Sequence, residues 1–206
     1  MAAIAVASGL ALVVGGCATT TAAASHHGVP RPIVGVHLDA GDVASADSDN
    51  AGDGYLLGGG LSFTPLWVDN VGVGAGLDVL FKYHPFTLGT SRGSNTSMPT
   101  LLTGHLLVGL DDVARWYLLL RAGFETDFNR QSTFNGTSGT SPSGTGVVAE
   151  LGPIFAPVAH FAVGATLRGT VIELPAGMDH ISGSNVGIVL SAYYNYASEG
   201  KGSPAP

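Results

Sequence analysis

Six ionisable residues, His37, Asp78, His105, Arg121, Glu150 and Arg168, fall at the same phase of an alternation that repeats along the chain. A carboxylate between two guanidiniums makes short, charge-assisted hydrogen bonds. Away from water such a set persists only when each charge has a partner. Three roles suit it: a packing network, a proton-sensitive or gated lumen, and a catalytic site. The packing network needs only the pairs themselves and is the reading adopted. Three aspartates, Asp47, Asp49 and Asp53, surround Asn50-Ala51-Gly52 and offer oxygen ligands to a hard cation. Ala51 interrupts the calcium-loop pattern, and position twelve is Gly58 rather than Glu, so a solvated acidic loop is expected. His26 and His27 are adjacent imidazoles with no third ligand nearby. No metal and no cofactor is predicted.

The elements that must position the six residues are strands. Eight segments alternate apolar with polar or small residues at period two: 33–42, 55–68, 71–84, 98–110, 115–128, 147–158, 160–174 and 185–196. This period sends the two residue sets to opposite faces of a sheet. In 71–84, Val71, Val73, Ala75, Leu77, Val79, Phe81 and Tyr83 alternate with Gly72, Gly74, Gly76, Asp78, Leu80 and Lys82. Charged residues inside the segments fall on the polar-or-small face; Glu173, at a segment end, is the exception. A charge facing hydrocarbon costs about 2–4 kcal/mol at the bilayer midplane, which accounts for the segregation. Connections near 69–70, 111–114 and 159 are tight. Those at 43–54, 85–97, 129–146 and 175–184 are long and polar. Aromatics on the apolar face form two bands. Trp67, Trp116, Phe155, Phe161, Tyr194 and Tyr196 lie toward the tight turns. Tyr55, Phe81, Tyr83, Phe124 and Phe128 lie toward the long loops. Such girdles suit the two interfaces of a bilayer.

Composition points the same way. Of 206 residues only 11% are charged, against roughly 25% in a soluble domain, and 31 are glycine. Mean hydropathy is +0.33, yet no apolar run past the N-terminus reaches the roughly 20 residues of a spanning helix. The net charge of -7, without any Lys/Arg cluster, argues against nucleic acid as a partner. The Gly residues alternate with apolar ones and belong to strands, so they do not make a phosphate-binding loop.

Residues 2–16, AAIAVASGLALVVGG, read as the apolar core of a signal peptide. Val14-Gly15-Gly16-Cys17 resembles a bacterial lipobox. That resemblance implies cleavage before Cys17, lipidation of its thiol and, with Ala18 following, sorting to the outer membrane. No Lys or Arg precedes the apolar run, a departure from the usual signal peptide. The expected divisions are 1–16 signal peptide, 17–32 lipidated flexible tether, 33–196 barrel and 197–206 disordered tail. Cys17 is the sole cysteine, so no internal disulfide forms.

Taken together, the segments resemble the small eight-stranded outer-membrane barrels of the OmpA/OmpX type. The resemblance is architectural and covers about 33–196; a tail beyond Tyr196 departs from it. The expected fold is an all-β, eight-stranded antiparallel up-and-down transmembrane β-barrel in the bacterial outer membrane. An even strand number puts both termini on the short-turn, periplasmic side. The expected partners are outer-membrane lipid and an extracellular ligand met by the long loops. The expected role is structural or surface-interactive, without enzymatic activity. Two alternatives remain. One is a soluble lipocalin-like lipoprotein barrel, apolar inside, holding a small apolar ligand. The other is a lipid A-modifying barrel enzyme, since His180 and Ser182 resemble a base and nucleophile of lipid A deacylases.

Overall fold

The computed structural model describes residues 31–45, 54–88, 90–110, 115–140, 143–158, 160–173 and 184–198. Among them every regular element is a strand. In chain order these are β1 (Arg31–Ser45), β2 (Gly54–Val68), β3 (Val71–Leu88), β4 (Ser91–Gly109), β5 (Trp116–Phe134), β6 (Thr137–Thr140), β7 (Gly144–Val158), β8 (Phe161–Glu173) and β9 (Ser184–Ser198). Neighbours pair antiparallel in the order β4-β3-β2-β1-β9-β8-β7-β5, and β4 pairs with β5 to close the ring. The short β6 lies along the upper part of β5, from Gln131 to Phe134, and β7 lies along the part below it. The two make one stave, so the barrel has eight staves, and closure leaves no sheet edge around the wall.

The alternation decides which way the wall faces. Leu77, Leu120 and Leu167 are 48%, 39% and 57% exposed, whereas Arg121 and Arg168 are each 4% exposed. Apolar side chains therefore cover the outside and ionic ones fill the inside. This is the reverse of the arrangement that a lipocalin-like barrel in water requires. Trp116, Phe161 and Tyr194 are exposed near the short-turn end, and Tyr55, Phe81, Phe124 and Phe128 near the other.

The phase slips where the ladder breaks. In β2 the register with β3 shifts between Phe63 and Leu66, around Pro65, which has no N–H to give the ladder. Thr64 turns inward, Leu66 takes the outward position at 51% exposure, and the Trp67 ring packs against Tyr117 at 6.3 Å. Trp67 thus leaves the outer aromatic band in which the uninterrupted alternation puts it. A similar shift between Phe155 and Val158 brackets Pro157.

Two of the four expected long loops are instead extended hairpins. β3 and β4 stay paired as far as Leu88 and Ser91, and β5 and β6 as far as Phe134 and Thr137. β3, β4 and β5 have 18, 19 and 19 residues, against 13 in β8. About 9–11 tilted residues cross a bilayer, so one flank of the barrel continues well past that height. Phe86 and Phe134 stack across Gly93 there, with 6.2 Å between centroids and 6° between planes. The β5–β6 turn is Asn135-Gly136, with φ of 48° and 81°. Positive φ at both central residues is the hairpin geometry that matches strand twist, and Asn-Gly is its preferred sequence.

Gly136→Val strains that turn. Amide hydrogen exchange is expected to accelerate in 132–140 while the lower halves of β5 and β7 keep their protection. Uniform acceleration through both strands would show that the hairpin and barrel open as one unit.

Candidate functional site: an ionic layer inside the barrel

The strands bring five of the six predicted residues into one connected network. Arg121 on β5 donates from Nη1 to Asp78 Oδ2 on β3 at 2.9 Å and to Glu150 Oε2 on β7 at 3.4 Å. Arg168 on β8 donates from Nε and Nη2 to Glu150 Oε2 at 3.2 and 3.0 Å, and from Nη2 to Asp39 Oδ2 on β1 at 3.2 Å. His37 Nε2 lies 2.9 Å from Asp78 Oδ1 and 3.8 Å from Asp39 Oδ2. The register places Glu150 directly between Arg121 and Arg168, since it is cross-strand partner to both. His105, the sixth, is buried beside Arg121 and shares a 2.9 Å hydrogen bond with Thr64 Oγ1 rather than an ion pair.

Asp39, which is not among the six residues singled out from the sequence, belongs to the layer and is buried on the inner face. The signal was present: Asp39 is two residues from His37, on the same face of one strand. Two hydroxyls complete the carboxylates. Thr166 donates to Glu150 Oε1 at 2.5 Å and Ser191 to Asp39 Oδ1 at 2.6 Å. Gly60 makes room for the layer, because a Cβ there would collide with Asp78 Oδ1 and the Leu77 carbonyl.

The layer is sealed on both sides by apolar side chains that point inward. Toward the short-turn end, Tyr117, Leu119, Ile154, Ala162 and Tyr193 cluster, with Trp67 and Leu107 packed against them. Toward the long-loop end, Val43, Leu56, Leu80, Leu101, Val148 and Val189 form a second cluster. Beyond it lies a second ionic group that the sequence reading left unassembled. Lys82 Nζ is 3.8 Å from both Glu125 Oε1 and Asp127 Oδ2, and Thr170 donates to Glu125 Oε2 at 3.2 Å.

One trio has the chemistry of a cation site: ligand atoms of His37, Asp39 and Asp78 lie within 4.8 Å of one another. Both carboxylates are already held by Arg121 and Arg168, whose charges oppose a metal ion at that point. The layer is chemically three carboxylates held by two guanidiniums, with His37 beside two of them. Cys17, His26, His27, the Asp47–Asp53 loop, His180 and Ser182 lie outside the described residues.

No protein-family model and no curated protein sequence matches the chain. Among solved structures, Neisserial surface protein A (NspA) superposes with a TM-score of 0.54 at 11% identity, over 79% of this chain and 97% of that one. The N-terminal β-barrel domain of Pseudomonas aeruginosa OprF gives 0.44 at 14% identity, over 81% and 100%. Ail, the attachment invasion locus protein of Yersinia pestis, gives 0.45 at 15%, over 82% and 100%. At such identities the likeness to NspA concerns architecture alone, and it gives this chain the fold of the small eight-stranded outer-membrane barrels.

Removing Glu150 leaves two buried guanidiniums facing each other. Breaking a buried pair on one side costs about 3–5 kcal/mol. Glu150→Ala is therefore expected to lower sharply the temperature at which the folded band disappears on unboiled gels. Glu150→Gln, which keeps two polar atoms, should fall between it and the parent. Equal transition temperatures for all three proteins would mean that the layer contributes nothing to stability.

Proposed function

We propose that this chain is a bacterial outer-membrane β-barrel whose lumen is a packed core and whose interactions are made at its outer rim. The observation that carries this reading is the combination of an apolar outer wall with an inner layer in which Arg121 and Arg168 are each ion-paired with two carboxylates. A wall bearing Leu57, Leu61, Leu102, Phe124, Leu151 and Leu190 at half exposure or more suits acyl chains and is costly in water. Outer-membrane lipid is then the partner of the wall, and the hairpin flank is the surface offered to an extracellular ligand.

The interior supports a structural rather than a transport role. Eight strands enclose a space that side chains can fill. Here two apolar clusters and two ionic groups occupy it in sequence. Charges engaged with one another are poorly placed to act on a substrate, so no enzymatic role is assigned. Arg31 pairs with Ser198 across β1 and β9, so both ends of the described chain leave the barrel on one side. We assign that side to the periplasm, where Cys17 would act as a lipidated tether.

Two measurements test the reading. After a carbonate wash the protein is expected to stay with the membrane, and to do so equally as Cys17→Ala, because the wall and not the lipid holds it. Release of Cys17→Ala alone points to a tethered soluble barrel, and release of both forms to a barrel that the wall does not hold in the membrane. In planar bilayers the purified protein should give no steady conductance. A sustained ohmic current would rule out the packed lumen.

A further inference from the structure

Between the two ionic groups, beside Leu56 and Leu80, lies a cavity of about 20 Å³ lined by Lys82, Glu125, Arg168 and Asn185. A single water needs roughly 10–15 Å³, with two to four polar partners. The partners are there. Arg168 spends Nε and Nη2 on Glu150 and Asp39, and its buried Nη1 has no hydrogen-bond partner among the described residues. Asn185 is 5% exposed, and neither Nδ2 nor Oδ1 has such a partner. Glu125 Oε1 stands 3.8 Å from Lys82 Nζ, too far for a hydrogen bond.

We propose that this cavity is a binding site for one ordered water. The water accepts from Arg168 Nη1, donates to the Glu125 carboxylate and uses a further bond on the Asn185 amide. The mixed lining selects this ligand. A cation would meet the guanidinium of Arg168 and the ammonium of Lys82, and an anion would meet Glu125. A neutral molecule that both donates and accepts can serve Arg168, Glu125 and Asn185 together. The bound water joins two clusters that are otherwise separated by apolar side chains. One hydrogen-bonded column then runs from Glu125 through the water to Arg168, Glu150, Arg121 and Asp78. This holds whether the barrel sits in an outer membrane or elsewhere.

The test uses the full chain in detergent micelles with the Asn185 side-chain amide labelled. Water-to-protein Overhauser spectra should show a cross-peak at Nδ2 with the sign of a long-lived contact. The peak should persist in Thr170→Val, which removes the nearby hydroxyl, and should be lost in Asn185→Leu along with the amide. Asn185→Leu, which fills the cavity, should also lower the thermal midpoint by stranding Arg168 Nη1 and Glu125. Absence of the peak in the parent protein overturns the proposal, and so does its loss in Thr170→Val. An unchanged or raised midpoint in a folded Asn185→Leu protein would likewise show that the cavity is better dry.

Discussion

A guanidinium cannot be left alone inside a narrow, water-poor cylinder, and this constraint organises the interior. Arg121 and Arg168 each hold two carboxylates, and they share Glu150. Their contacts tie β5 to β3 and β8 to β1, which are not neighbours in the ring. The backbone ladder joins each strand only to the next. At these two steps the ionic layer skips over one strand and so fixes strands that the ladder does not join. Buried ion pairs are weak evidence for net stability because both partners must be desolvated. Their contribution here is better described as specificity. A strand that slipped by one residue would turn its charge toward the outer wall and abandon its partner.

The apolar clusters above and below give the layer its strength. They keep bulk water from screening the pairs, which interact more strongly in a low-dielectric surround. Inward-pointing Leu80, Leu101 and Val189 therefore serve the charges between them as much as they fill space. They also explain why the inner face is not uniformly polar, as the simplest reading of a barrel interior would have it.

Much of this was legible from residue order alone. The strand count, the outward direction of Leu77, Leu120 and Leu167 and the inward direction of Arg121, Glu150 and Arg168 all follow from period-two alternation, because a pleated strand has only two faces. The shared height of these residues follows from counting along strands from the tight turns. Other features needed coordinates. The inward turn of Trp67 depends on how the ladder breaks at Pro65; proline signals that a break occurs but not how many residues it absorbs. The paired extension beyond β3 and β5 was hidden by polarity. Strands that leave the apolar wall lose their alternation, and Ser, Thr and Asn then read as loop. Asn135-Gly136 was the available clue. The bond from Arg168 to Asp39 joins residues 129 apart in the chain; only the pairing of β1 with β9 brings them together.

The unequal strand lengths have a geometric consequence. A cylinder with staves of equal length looks the same from every direction in the plane of a membrane, whereas among the described residues the paired strands of this one reach farthest at β3–β6. It therefore has a front and a back. Any neighbour that touches the front must approach from a limited range of azimuths. A population of such molecules could be told apart from randomly spinning cylinders by how they orient against whatever they meet.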